Sequence, residues 1–221
     1  MQTLAVIFDM DGVLVDSYRA HFESWRGVYD ELDVEYTEAA FAADFGRTSR
    51  DILRRKFGDD LTDERARDLD GRKEALYRDI IHDNFPAMDG AAELVEALAA
   101  DSFRLAIGSS GPPENVALVL EQFTAGRRID AVVTGADVTR GKPDPQVFLL
   151  AAERLGVPPA SCAVVEDAVH GITAAQRAGM MAIALTGTLE REALAAADAV
   201  VDSLRQLSPE RIRALINART S

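Results

Sequence analysis

Asp9 and Asp11 close an apolar run, Leu4 to Phe8, and are followed at once by Gly12. Residues two apart on an extended chain share a face, so both carboxylates can point at one ligand. Two anions this close repel unless a cation or a proton intervenes. Mg2+ suits such a pair, because it takes oxygen ligands and is commonly held by one or two carboxylates plus a phosphate group. Gly12 lets the backbone turn there without a Cβ clash. A calcium loop also begins Asp-x-Asp, but it needs further oxygen ligands and a closing glutamate, and here Val13-Leu14-Val15 follow instead. A second acidic pair, Glu166-Asp167, stands just past another apolar run, Ala163–Val165. Acidic residues at a strand end often cap helices; two such pairs on one sheet edge favour a shared cation.

Two further strand ends carry polar groups. Phe103–Ile107 runs into Gly108-Ser109-Ser110-Gly111, where Ser109, Ser110 and free backbone N–H groups ahead of a helix can cradle a phosphate. After Ala131–Thr134, Lys142 lies between Gly141 and Pro143 in a loop of restricted shape. It is either an ordinary surface lysine or a point charge for phosphate. Asp144, just before Pro145, reads as a helix cap rather than a ligand.

These groups need elements to position them. Asp16 and Ser17 look like a helix start, and Tyr18, Phe22, Trp25, Tyr29 and Leu32 form an apolar helical stripe. Only helices are expected up to Phe85, over Thr37–Asp44, Ser49–Phe57 and Thr62–Asn84. Helices and strands then alternate: helix Asp89–Ala100, strand Phe103–Ile107, helix Glu114–Phe123, strand Ala131–Thr134, helix Pro145–Leu155 and strand Ala163–Val165. Helix Ile172–Ala178, strand Met181–Leu185, helix Glu190–Ala196, strand Ala199–Val201 and a helix near Pro209–Asn217 complete the series. Apolar strands alternating with helices predict an α/β fold, a Rossmann-like doubly wound parallel sheet covered on both faces. The expected domains are an α/β catalytic core, 1–16 with 88–221, and an inserted all-helical cap, 17–87. In open sheets of this kind ligands bind beyond the carboxyl ends of the strands.

The chain has 221 residues, 48% of them hydrophobic, and a formal net charge of −13, enough for a full core. So negative a surface disfavours nucleic acid and anionic membrane as partners. It also repels phosphate esters, so an anionic substrate needs a locally positive pocket. One cysteine, Cys162, excludes an internal disulfide and fits a reducing, cytoplasmic compartment. It opens an apolar run and is expected to be inert core. No segment reads as a membrane span or signal peptide.

Taken together, Asp9-Met10-Asp11-Gly12, Ser109, Lys142 in Gly-Lys-Pro-Asp-Pro, and Glu166-Asp167 closely resemble the haloacid dehalogenase superfamily, in order and rough spacing. The helical insertion is similar to the small cap of its phosphoglycolate phosphatase and β-phosphoglucomutase branch. The resemblance implies that Asp9 is the nucleophile, forming an aspartyl-phosphate, and that Asp11 is the general acid and base. It implies a Mg2+ ion held by Asp9, Asp11 (through its carbonyl) and Asp167, with Glu166 in direct contact or behind. It assigns Ser109, Ser110 and Lys142 to phosphate. The second aspartate argues against the dehalogenases themselves, and a phospho-acceptor receiver domain carries neither that aspartate nor a long helical insertion.

Within the insertion, residues 47–56 hold four arginines and one lysine against one aspartate. Arg54, Arg55 and Lys56 are expected on a solvated face. Lys73 falls on the stripe Leu69, Lys73, Leu76, Ile80, and either snorkels at an edge or points into a closed cleft. His-Phe-x-x-Trp at His21, Gly-x-x-Ser-Arg ending at Arg50 and Arg-Lys before Tyr77 resemble the β-phosphoglucomutase pattern. By that resemblance His21, Arg50 and Lys73 contact a sugar phosphate. His82 and His170 are expected at the surface or behind the site. Where the mutase pattern has polar and basic residues after the serine, this chain reads Ser110-Gly111-Pro112-Pro113, and proline has no N–H to give. The expectation is a Mg2+-dependent phosphatase of small phosphate monoesters, a monomer or weak homodimer, with a sugar-phosphate mutase as the alternative.

Overall fold

The computed structural model describes residues 3–44 and 48–220. The chain divides into two compact units, Met1–Asp16 with Pro86–Ser221, and Ser17–Phe85. Strand β1 (Ala5–Phe8) opens the first unit. The second unit holds α1 (Tyr18–Asp30), α2 (Glu38–Asp44), α3 (Ser49–Phe57) and α4 (Asp63–Asp83). The first unit resumes with α5 (Ala91–Ala100), β2 (Arg104–Gly108), α6 (Pro113–Gln122) and β3 (Ala131–Val133). Next come α7 (Gln146–Leu155), β4 (Cys162–Glu166), α8 (Val169–Arg177), β5 (Met181–Leu185), β6 (Ala199–Val201) and α9 (Pro209–Thr220).

All six strands are parallel, in the order β3-β2-β1-β4-β5-β6. This is the doubly wound arrangement, whose strand order reverses between β1 and β4 and opens a crevice there. Phe8 lies level with Ile107 on β2 and Val165 on β4, so these three strands stop within one residue of each other. Ala5 and Ile7 pack with Ala106 and Val164 against Val147, Phe148 and Ala151 of α7 and Ile172 and Ala175 of α8. Val6 and Phe8, one step along the pleat, face the other layer. There α5 packs on β2, and α9 on β4 and β5. Covering on both faces explains why β1, β4 and β5 read as unbroken apolar runs rather than alternating ones.

The helical unit has its own core, in which Phe22, Trp25 and Tyr29 of α1 meet Phe41, Ile52, Leu53, Ala66 and Leu69. Tyr18 and Leu32, the ends of the predicted stripe, are only partly buried against it. Thr48 and Thr62 cap α3 and α4, their hydroxyls accepting from Asp51 N–H and Arg65 N–H. On α4 the stripe is rotated from its sequence reading. Ala66, Leu69, Lys73, Tyr77 and Ile81 are buried, while Leu76 and Ile80 are half-exposed. Repeated steps of four drift around a helix of 3.6 residues per turn, and the bulky Tyr77 follows that drift.

One expected helix is not formed. Glu190–Ala196 folds as successive turns, with Ala193 N–H donating to Glu190 C=O and Leu194 N–H to Arg191 C=O. The segment is too short to repay helix nucleation, and it is tied down from both ends. Arg191 reaches Asp202 and Val200 C=O, and Ala196 C=O accepts from Gln176. Cys162 is fully buried, and burial pushes its thiol up to about 12, as an inert core position requires. Among the described residues no helix is long and apolar enough to cross a membrane.

Leu105, fully buried in β2, should lose roughly 2–5 kcal/mol on truncation to alanine. Leu149, 39% exposed on α7, should change stability by no more than about 0.5 kcal/mol. Urea denaturation of the two variants checks the assignment of core and surface.

Candidate active site

The strand ends deliver the polar groups to one edge of the sheet. Asp9 is the first residue past β1, and its N–H donates to Val165 C=O of β4 at 2.9 Å. That bond carries the ladder one step further and sets Asp9 beside Glu166. On the other side of β1, Ser109 follows β2 and its N–H donates to Val133 C=O at 3.0 Å. Ser109 is buried and its Oγ accepts from Gly111 N–H at 2.9 Å, which leaves the hydroxyl proton to donate elsewhere. Ser110 is exposed.

Lys142 enters from the loop between β3 and α7. Its Nζ donates to Asp9 Oδ1 and to Glu166 Oε1, each at 2.8 Å, and lies 4.9 Å from the centre of the Phe148 ring. So it is not a surface lysine. Phe148, which the sequence marked only as a helix residue, supports it, and Gly108 leaves the ring room: a Cβ there would come within 3.0 Å of it. Burial works against the charge on Lys142, but Asp9 and Glu166 more than offset this and hold its pKa above the ordinary value. The N-cap of α7 is Pro145 rather than Asp144, which stands one residue earlier and accepts from Gln146 N–H at 3.0 Å.

Asp9, Glu166 and Asp167 are all buried, with one carboxylate oxygen from each within 4.8 Å of the others. Glu166 is the most tightly held: Oε1 takes Lys142 and Oε2 accepts from Ala168 N–H at 2.7 Å. Its side chain lies so close over Gly171 of α8 that a Cβ there would collide with it. Asp167 fills the space left by Gly12, whose φ is +73° and whose missing Cβ would fall 1.9 Å from Asp167 Oδ2. Gly12 thus does more than turn the chain.

The charges in this group do not balance. Burial pushes the Asp9 carboxyl up to about 7; Glu166 and Asp11 add to the rise, and Lys142 opposes it. Burial also raises Asp167 well above the ordinary carboxylate range, with Glu166 and Asp9 adding their repulsion. Three buried carboxylates answered by one ammonium, with oxygen as the only donor type, fit a hard divalent cation. Asp11 is half-buried, and its charge bears on Asp9 although the strand has ended at Phe8.

The residues singled out in the helical unit fall into two places. Lys73 is 3% exposed. Its Nζ lies 2.9 Å from His21 Nδ1 and 2.8 Å from Glu74 Oε1, above the rings of Tyr77 and Trp25. An ammonium can only donate, so in this contact Nδ1 of His21 is the acceptor. The His21 ring stacks on Tyr77 at 4.4 Å. Arg50 instead pairs with Asp63 in the first turn of α4. Ten residues separate Asp63 from Lys73, roughly 15 Å along a helix, so Arg50 and Lys73 engage different stretches of α4. Gly46 and Arg47, part of the same sequence pattern, lie outside the described residues. Arg54, Arg55 and Lys56 are exposed, with Arg55 also paired to Asp44 at 3.0 Å. His82 and His170 are exposed. Glu74 and Thr188, whose hydroxyl lies with the Asp167 carboxylate beside Gly12, were not singled out by the sequence; neither sits in a pattern that marks it.

Comparison with known proteins matches residues 3–179 to the model of the haloacid dehalogenase-like hydrolases. Validoxylamine A 7'-phosphate phosphatase of Streptomyces hygroscopicus subsp. limoneus is 32% identical over 91% of this chain and 94% of its own. β-Phosphoglucomutase of Bacillus subtilis is 30% identical over 93% and 92%. The crystal structure of β-phosphoglucomutase from Clostridium difficile superposes with a TM-score of 0.86 at 25% identity, covering 99% of each chain.

A carboxyl whose folded pKa lies above its unfolded one stabilises the fold at low pH, and that contribution is lost as pH rises through the folded value. Asp9, raised from 3.8 to about 7, and Asp167, raised in the same direction, both act this way. With chelator present, the protein should therefore lose stability as pH rises from about 4 to about 7, from the ordinary to the folded value of Asp9, at up to about 1.4 kcal/mol per pH unit for each proton released. Carboxyls lowered by arginines, such as Asp137 at about 2 beside Arg154, act only at lower pH. Asp9→Asn should flatten the slope and leave the metal-free protein at pH 8 as stable as the parent or more so, as thermal melts across this range will read.

Proposed function

The chain belongs to the haloacid dehalogenase-like hydrolases, and from that premise we propose that it is a Mg2+-dependent phosphatase of small phosphate monoesters, sugar phosphates above all. The observation that carries the proposal is the Asp9–Lys142–Glu166 contact, beside Asp167 and between the ends of β2 and β4.

In this reading an Asp9 carboxylate oxygen attacks phosphorus, and the ester oxygen leaves with its electron pair, protonated by Asp11. The product is an aspartyl-phosphate on Asp9. Asp11, now ionised, takes a proton from water as that water attacks the same phosphorus, which frees phosphate and restores Asp9. Lys142 and the Ser109 hydroxyl bind phosphoryl oxygens, with Ser110 at the rim, while Glu166 holds Lys142 in place. Mg2+, held by Asp9 and Asp167 with Glu166 and the Asp11 carbonyl alongside, would supply positive charge for the phosphoryl oxygens and keep these carboxylates ionised.

His21, Lys73 and Arg50 are the proposed substrate contacts of the helical unit, in the role of a cap. Lys73 already carries Glu74 and Arg50 already carries Asp63. Neutralised in this way, they suit sugar hydroxyls better than a second phosphate. Pro112 and Pro113 open α6 without an N–H between them. Both features favour hydrolysis over the mutase alternative, which must hold a bisphosphate.

Phosphate release from a panel of sugar phosphates and phosphoglycolate, with and without Mg2+, tests the reading; no release from any of them would sink it. β-Glucose 1-phosphate primed with the 1,6-bisphosphate should give free phosphate faster than glucose 6-phosphate. Asp9→Asn should abolish turnover with the fold intact, whereas Asp11→Asn should still take up a phosphoryl group from a reactive donor. Intact mass reads both, and an added phosphoryl group on Asp9→Asn would show the nucleophile to be another residue.

A further inference from the structure

We propose that Thr188 is a positioning residue that holds the Asp167 carboxylate in place for a divalent cation. This rests on the metal reading above and assigns a part to a loop that the sequence motifs do not reach. Thr188 comes from the end of β5, next to β4 in the sheet, where Ala184 lies level with Glu166. Past Leu185 the chain stays in register for one more residue, with Thr186 N–H donating to Val201 C=O at 2.9 Å. It then turns at Gly187, whose φ of +127° is open to glycine and strained for other residues. That turn brings Thr188 back over the end of β4, where its hydroxyl faces the Asp167 carboxylate beside Gly12 and acts to lower its pKa.

The position is built from two sides. Asp167 Oδ2 and Thr188 Oγ1 lie 1.9 and 3.0 Å from the point where a Cβ of Gly12 would be. Gly12 provides the slot and Thr188 forms its wall. The need for a wall is electrostatic. Asp167 faces Asp9 and Glu166, and mutual repulsion drives its carboxylate away from them. Lys142 spends its hydrogen bonds on Asp9 and Glu166 and acts on Asp167 through its charge. A hydroxyl donor on the far side holds the carboxylate without adding a positive charge that would compete with a cation. Threonine suits the task, because its branched Cβ restricts χ1. Groups that orient a ligand from behind are commonly worth a factor of 10–100 in metal affinity.

Thr188→Val keeps the shape and removes the donor; Thr188→Ser keeps the donor. Calorimetric titration of the whole protein with Mg2+ or Mn2+, without substrate, should show a Kd raised about tenfold or more in the valine variant and near that of the parent in the serine variant. The metal concentration for half-maximal activity should rise by the same factor, with kcat at saturating metal within about twofold of the parent. Thr188→Ala serves in the same way if valine is not accommodated. An unchanged Kd in the valine or alanine variant, or a serine variant as weak as they are, overturns the positioning role and leaves the metal reading standing. A parent protein that binds neither cation overturns the metal reading, and this inference with it.

Discussion

Three carboxylates shut away from water, with one ammonium among them, are the constraint on which this molecule turns. Burying a single charge is costly unless it is paired, and here Asp9, Glu166 and Asp167 share Lys142. The arrangement survives because each member is held by something else. Asp9 is pinned by the β1–β4 ladder, Glu166 by Ala168 N–H, Asp167 by the slot over Gly12 and the Thr188 hydroxyl, and Lys142 by the Phe148 ring. The residual negative charge is what a divalent cation would compensate, so that the site could then face an anion. An acidic protein can thereby receive an anion at one place on its surface.

The sheet explains why these groups meet. Strand order places β1 between β2 and β4, and the three strands end within one residue of each other. A side chain one residue past each end therefore faces the same crevice, whatever its distance in sequence. Lys142 and Thr188 reach that crevice from loops beyond β3 and β5. Glycines permit the close approaches: Gly12 under Asp167, Gly171 under Glu166 and Gly108 beside Phe148. A methyl group at any of the three would displace a member of the site or its support.

The helical unit obeys a different economy. Its two singled-out cations are each answered locally, Lys73 by Glu74 and Arg50 by Asp63. Lys73 is the more telling, since an ammonium at 3% exposure must be held by its partners rather than by water. His21 Nδ1, Glu74 and two aromatic rings supply them. A cation matched in this way is a hydrogen-bond donor more than a free charge.

The pattern of apolar runs was enough to define the parallel sheet and the four strand-end segments, because burial on both faces imposes a local signature on each strand. The acidic pairs, Ser109 and Lys142 were legible for the same reason: each stands immediately past such a run or in a loop bounded by glycine and proline. Their meeting at one edge of the sheet was readable only because all four segments occur together. Other features depended on neighbours distant in sequence. Whether Lys73 snorkelled or was enclosed turned on His21, 52 residues away. Glu190–Ala196 had helical composition, but contacts from Gln176 and Asp202 hold it as turns. Thr188 carries no mark at all, since an isolated threonine after a strand is unremarkable until the fold sets it against Asp167. A chain's local pattern records what each segment buries; which polar groups then share the buried space is settled only by the packing of strands that the sequence keeps far apart.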